Sequence, residues 1–189
     1  MMRSLAVCLF LGMALAACTP QSSSPVAGAI PVAYAISADS AGPIGATTGY
    51  SRSGLQALFP GDRIEVIQTA SEEGVVSALA IFEEGLQTLL VLPSAGGSGI
   101  KAVHGAGLAV AGPGGERLGM SYGELGIDRS DCRVGRGPWA GMAVCRSRIA
   151  PNVSLVFDPG DYNDPGELAP ESSLRKGELQ RIVWTPPGA

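Results

Sequence analysis

The sequence predicts a mainly β fold: a single antiparallel β-rich domain, a sandwich-like sheet with two short helices. Three observations carry this. Short alternating or wholly apolar segments follow one another closely, each bounded by Gly, Pro, Asp or Ser. Gly 27 and Pro 14 against an aromatic content of 5% describe a turn-rich domain with few large anchors. Finally, Cys132 and Cys145 bracket a glycine-rich bend, which suits a disulfide-closed hairpin.

The N-terminus stands apart from that domain. Met1-Met2-Arg3 carries one positive charge, and an apolar run from Leu5 to Ala17 follows it. That run is too short to span a bilayer and ends in small residues, which is the build of a secretory signal, residues 1–17. Leu15-Ala16-Ala17-Cys18 resembles a bacterial lipobox, in which cleavage leaves the cysteine first in the chain and carrying lipid. Cys18 is therefore the expected lipidation site and the expected link to a membrane. Each buried lipid methylene contributes about 0.8 kcal/mol, so a multiply acylated cysteine anchors a protein without a spanning helix. Thr19 replaces the aspartate that favours inner-membrane retention in lipoproteins of enteric type. The expected location is the outer membrane, on its periplasmic face. Residues 18–32 are Ser/Pro/Ala/Gly-rich and lack periodicity, as a tether would. Residues 33–185 form the expected β-rich domain and 186–189 a C-terminal tail.

Within the domain, Ala33 to Ser37 suits a first strand, and Gly42-Pro43-Ile44-Gly45 turns the chain. Ser51 to Phe59 predicts a helix with Leu55, Leu58 and Phe59 on one face, stopped by Pro60-Gly61. Arg63 to Thr69 alternates, with Ile64 and Val66 sharing a face. Val75 to Phe82 would suit a helix or a strand. The strand is preferred because Glu83-Glu84-Gly85 reads as a hairpin turn into Gln87–Leu92, whose two apolar faces mark a central strand. Ile100 to His104, Leu108 to Ala111, Ala140 to Arg146, Val153 to Phe157 and Leu179 to Trp184 are further strands. Ser121 to Gly126 is a helical turn, and Asp158 to Ser173 a long acidic loop. Ala41-Gly42-Pro43 before one helix is echoed by Ala111-Gly112-Pro113 before the other. Two related halves or chance in a Gly-rich chain would each produce that echo.

The chemistry is sparse. The net charge of −4 argues against nucleic acid, which needs a basic face. With Cys8 removed and Cys18 acylated, Cys132 and Cys145 are the thiols left, and an oxidising compartment pairs them. Closing so short a loop stabilises by about 3 kcal/mol. Gly119-Met120-Ser121-Tyr122-Gly123 matches the nucleophile elbow, but the sole histidine, His104, precedes the serine rather than following it. Ser121 with Glu124 fits a capping box instead. His104-Gly105-Ala106-Gly107 has no triad to serve, and a lone histidine leaves zinc without ligands. The glycines from Gly96 to Gly115 hold neither a complete dinucleotide fingerprint nor a P-loop. Asp158, Asp161, Asn163, Asp164 and Glu167 depart from EF-hand spacing, and Pro159 and Pro165 indicate ordinary turns. No catalytic residue, metal site or cofactor is assigned.

From Gly42 to Trp184 the chain resembles the YfeY-like, RpoE-regulated bacterial lipoproteins, a family of unknown function with a mostly β fold. The likeness rests on the helix ending at Gly61-Asp62, the three strands after it, and Leu118-Gly119 leading to Tyr122 and Leu125. It continues through Cys132, Cys145, the strand ending in Phe157 and Arg181-Ile182-Val183-Trp184. The resemblance implies an outer-membrane location and a link to envelope stress, with no catalytic residue. Gly119-Met120-Ser121 is also similar to helix openings in small envelope modules built like the BamE and β-lactamase-inhibitor proteins. The functional expectation is a non-enzymatic, lipid-anchored binding or structural module that contacts an envelope protein or the cell wall. The alternative is an inhibitor or small-ligand module acting on an envelope hydrolase.

Overall fold

The computed structural model describes residues 30–162 and 164–188. The signal, Cys18, the tether through residue 29 and Asn163 lie outside the described residues.

Three two-residue strands, β1 (Tyr34–Ala35), β2 (Ser40–Ala41) and β3 (Ile44–Gly45), lead to helix α1 (Arg52–Leu58). Then come β4 (Arg63–Ser71), β5 (Gly74–Glu83), β6 (Leu86–Pro93), β7 (Ile100–Gly105) and the short β8 (Val110–Ala111). Helix α2 (Tyr122–Leu125) opens the second half, followed by β9 (Cys132–Val134), β10 (Ala143–Arg146) and β11 (Val153–Asp158). Helix α3 (Glu171–Leu174) and β12 (Glu178–Trp184) complete the chain. The fold is thus mainly β.

Eight strands form one antiparallel sheet in the order β4-β5-β6-β7-β12-β11-β10-β9. Two four-stranded meanders meet where β7 pairs with β12, placing Ile182 opposite Gly105 and Trp184 opposite Val103. Each meander follows a Gly-Pro bend and a serine-capped helix. Ser51 accepts from the Gly54 N–H, and Ser121 from the Glu124 N–H. The echo between Ala41-Gly42-Pro43 and Ala111-Gly112-Pro113 therefore has a counterpart in the topology. β1 pairs in parallel with β8.

Local sequence sets the strand register. Glu84 and Gly85 both take positive φ, 49° and 85°, which matches the twist of a tight hairpin and joins β5 to β6. One sheet face is packed shut. It buries Trp184, Tyr122, Phe59, Phe157, Leu155 and Ile182 beneath α1, α2, α3 and the N-terminal strands. α1 supplies Leu55 and Phe59, α2 supplies Tyr122, and α3 supplies Leu174. The Trp184 indole N–H donates to the Ala38 carbonyl at 3.1 Å, so its polar edge is satisfied inside the core.

Several elements differ from expectation. Val66 shares its direction with Ile64 but is 58% exposed, because the layer over Ile64 does not extend along the edge strand β4. Leu108 is likewise exposed, and the strand expected from it shortens to Val110–Ala111. The segment from Ala140 loses its first residues to the bend after a 3-10 turn at Gly137–Trp139. α3 forms within the stretch read as loop, since Pro170 places extended backbone immediately before a helical turn.

Candidate functional site

The second sheet face is built differently. Ala78, Ala80, Leu90 and Leu92 form a small cluster there, with Ile67, Val76 and Phe82 packed against it. Strand alternation adds His104 from β7, facing away from Val103 in the packed core. Register sets His104 between Leu90 on β6 and Val183 on β12.

This face is curled into a trough. β4 and β9 are opposite edges of the sheet, yet they approach each other at one end. The Arg133 guanidinium donates to the Glu72 carboxylate at 3.1 Å. A Cβ on Gly137 would lie 2.9 Å from Glu72 Cα, so only glycine lets the bend after β9 settle against the β4–β5 tip. The two edges touch there without forming a ladder.

A cavity of about 250 Å3 opens beneath this bridge, lined by Leu92, Ala102, His104, Trp139, Val144 and Val183 among others. The His104 and Trp139 rings are 5.8 Å apart at their centroids. Burial, and secondarily the positive Arg181, push the His104 pKa down to about 4. Its imidazole is therefore neutral at pH 7. Among the described residues nothing hydrogen-bonds to it, and 7% of the residue remains exposed toward the cavity. Arg181 is half-buried beside it, and burial lowers its pKa too. Two ion pairs, Glu72 with Arg133 and Glu73 with Lys101, frame the mouth. Exposed pairs of this kind are individually worth roughly 0–1 kcal/mol, so the mouth is held loosely. A broader cleft of about 910 Å3 adjoins it, sharing Glu73 and Lys101.

The residues singled out by sequence fall into separate places. Cys132 and Cys145 are disulfide-bonded across directly paired positions of β9 and β10, with Cα atoms 3.9 Å apart. Ser121 and Glu124 form a capping box, the Ser121 N–H donating to the glutamate at 2.8 Å. Helix α2 lies over the packed face, so Ser121 and His104 are on opposite sides of the sheet. Asp158 and Asp164 each accept from a backbone N–H two residues on, at Gly160 and Gly166. Cys18 lies outside the described residues. Trp139 and the Glu72–Arg133 bridge were missed by sequence reading. The one signal for them was a tryptophan in a Gly-Pro-Trp bend, where no core strand needs one.

Fold and site together define a class: small β proteins with paired meanders, one packed face and one open trough. In solved structures this architecture is similar to that of the uncharacterized protein YfeY from Escherichia coli. The TM-score is 0.65 at 12% identity, over 79% of this chain and 98% of that one. At that identity the likeness is one of fold. No protein-family model and no curated protein matches the chain.

Proposed function

We propose that the protein is a lipid-anchored envelope lipoprotein, held by Cys18 at the periplasmic face of the outer membrane, that binds a partner without catalysing a reaction. The supporting observation is the trough: a neutral imidazole with no hydrogen-bond partner among the described residues, and a half-buried indole, facing a small cavity with a loosely held mouth. About 250 Å3 is below the roughly 300–1,000 Å3 of common small-molecule pockets. It suits one protruding side chain of an envelope protein or a short cell-wall stem. For the trough itself this size favours the binding-module reading, while the adjoining cleft of about 910 Å3 keeps a small ligand as the second reading. The resemblance to YfeY-like lipoproteins adds the reading that expression follows envelope stress.

The experiment is chemical crosslinking in whole cells. A discrete adduct is expected with the wild-type protein and should vanish with Trp139→Ala while the domain stays folded. An adduct indifferent to Trp139 would refute the trough as the binding face. In the same cells Cys18→Ser should move the protein from the membrane to the soluble fraction.

A further inference from the structure

Eight large apolar side chains are exposed among the described residues, and they are not scattered evenly. Ile30, Val32, Leu86 and Leu108 are 47%, 51%, 74% and 55% exposed, and all four line one groove of about 560 Å3. Single exposed apolar residues are ordinary on a protein surface, whereas a gathered group marks a surface that is covered in use.

The position of the groove indicates what covers it. Ile30 is the first described residue, so the groove lies where the chain arrives from Cys18. The intervening segment, residues 18–29, spans at most about 40 Å even when fully extended. A patch at the root of so short a tether meets the lipid surface at high effective concentration, and weak apolar contacts then suffice.

We infer that the domain stands on the bilayer through the Ile30, Val32, Leu86 and Leu108 rim, with the lipid interface as the occupant of the groove. The inference rests on the anchoring of Cys18. Glu83 and Glu84 border the same groove, so the preferred surface is zwitterionic rather than anionic.

An orientation follows. β5 runs ten residues from Gly74, beside the trough mouth, to Glu83, beside the groove. A strand of that length spans about 33 Å. With the rim on the lipid, the Glu72–Arg133 mouth faces away from the bilayer, toward the periplasm.

The test uses full-length, lipidated protein in phosphatidylethanolamine/phosphatidylcholine vesicles. Leu86→Cys, Leu108→Cys and Val75→Cys are each labelled with an environment-sensitive fluorophore. Val75 is 74% exposed but lies at the mouth end of β5, so it serves as the control. Labels at 86 and 108 should shift to the blue and be quenched several-fold more by lipid-borne quenchers than the label at 75. Adding phosphatidylglycerol should weaken the shift. Aqueous emission at 86 and 108 in an acylated protein would overturn the inference alone. So would a shift that appears in the non-acylated Cys18→Ser protein without vesicles or detergent, which would mean that a second copy covers the groove. Absence of acyl mass on Cys18 would overturn the anchoring reading and this inference with it.

Discussion

Each sheet face carries one of the two tryptophans, and their surroundings differ in kind. Trp184 is fully buried in the core cluster, paired with Val153 and Val103 on its neighbouring strands, with its N–H given to Ala38. Trp139 is half-buried on a bend, beside a histidine that has no hydrogen-bond partner among the described residues. The packed face is filled by large, satisfied side chains, and its residues gain stability from that. The trough keeps an open cavity instead, with Ala102, Ser154 and Thr185 lining it beside Leu92, Trp139 and Val183. Under the proposed function, stability and recognition are divided between the two sides of one sheet.

The largest expected effect sharpens that contrast. Trp184→Ala should cost about 3–5 kcal/mol in urea unfolding, whereas Trp139→Ala should cost under about 1.5 kcal/mol. Equal losses would erase the division. Next comes the disulfide, which ties Cys145 in the packed core to the edge strand β9. Replacing both cysteines with alanine should cost about 3 kcal/mol, and thiol reagents should label Cys132 and Cys145 of the folded mature domain only after reduction.

His104 gives the trough its own pH signature. Its folded pKa of about 4 is below the ordinary histidine value of 6.5, so the unfolded chain takes up the proton first as pH falls. The contribution is fully present above pH 6.5 and declines between 6.5 and 4. By pH 4 the loss approaches roughly 3 kcal/mol, since a tenfold change in proton affinity is worth about 1.36 kcal/mol. Urea melts of His104→Gln should lack this component of the slope. An unchanged slope would mean the imidazole is open to water.

Two smaller effects belong to the packed side. Ser121→Ala removes the cap of α2 and should cost about 1 kcal/mol, without affecting partner binding. The Tyr122 hydroxyl is buried and makes no hydrogen bond among the described residues. Tyr122→Phe should therefore be neutral or stabilise by up to about 1 kcal/mol. A loss of more than that would reveal a partner for the hydroxyl.

The sequence was most legible where a residue's role depends on near neighbours. Alternation in Val153, Leu155 and Phe157, the turn at Glu84-Gly85 and the Ser121–Glu124 cap all follow from local rules. The trough was not legible, because it depends on curvature. Nothing near Glu72 in sequence announces Arg133, and the bridge exists because opposite sheet edges curl together. The exposure of Val66 was hidden for a related reason: alternation places it on the face of Ile64 but does not say how far the covering layer extends. The echo of Ala41-Gly42-Pro43 at Ala111-Gly112-Pro113 was too short to interpret until the strand order revealed two matching meanders.

The division of labour between the faces is tested most directly by a photoreactive residue placed in living cells at Glu73, on the trough mouth, or at Ala57, exposed on α1 over the packed face. The account predicts a defined adduct from position 73 and none from position 57. Adducts of equal yield from both positions, or from position 57 alone, would contradict it.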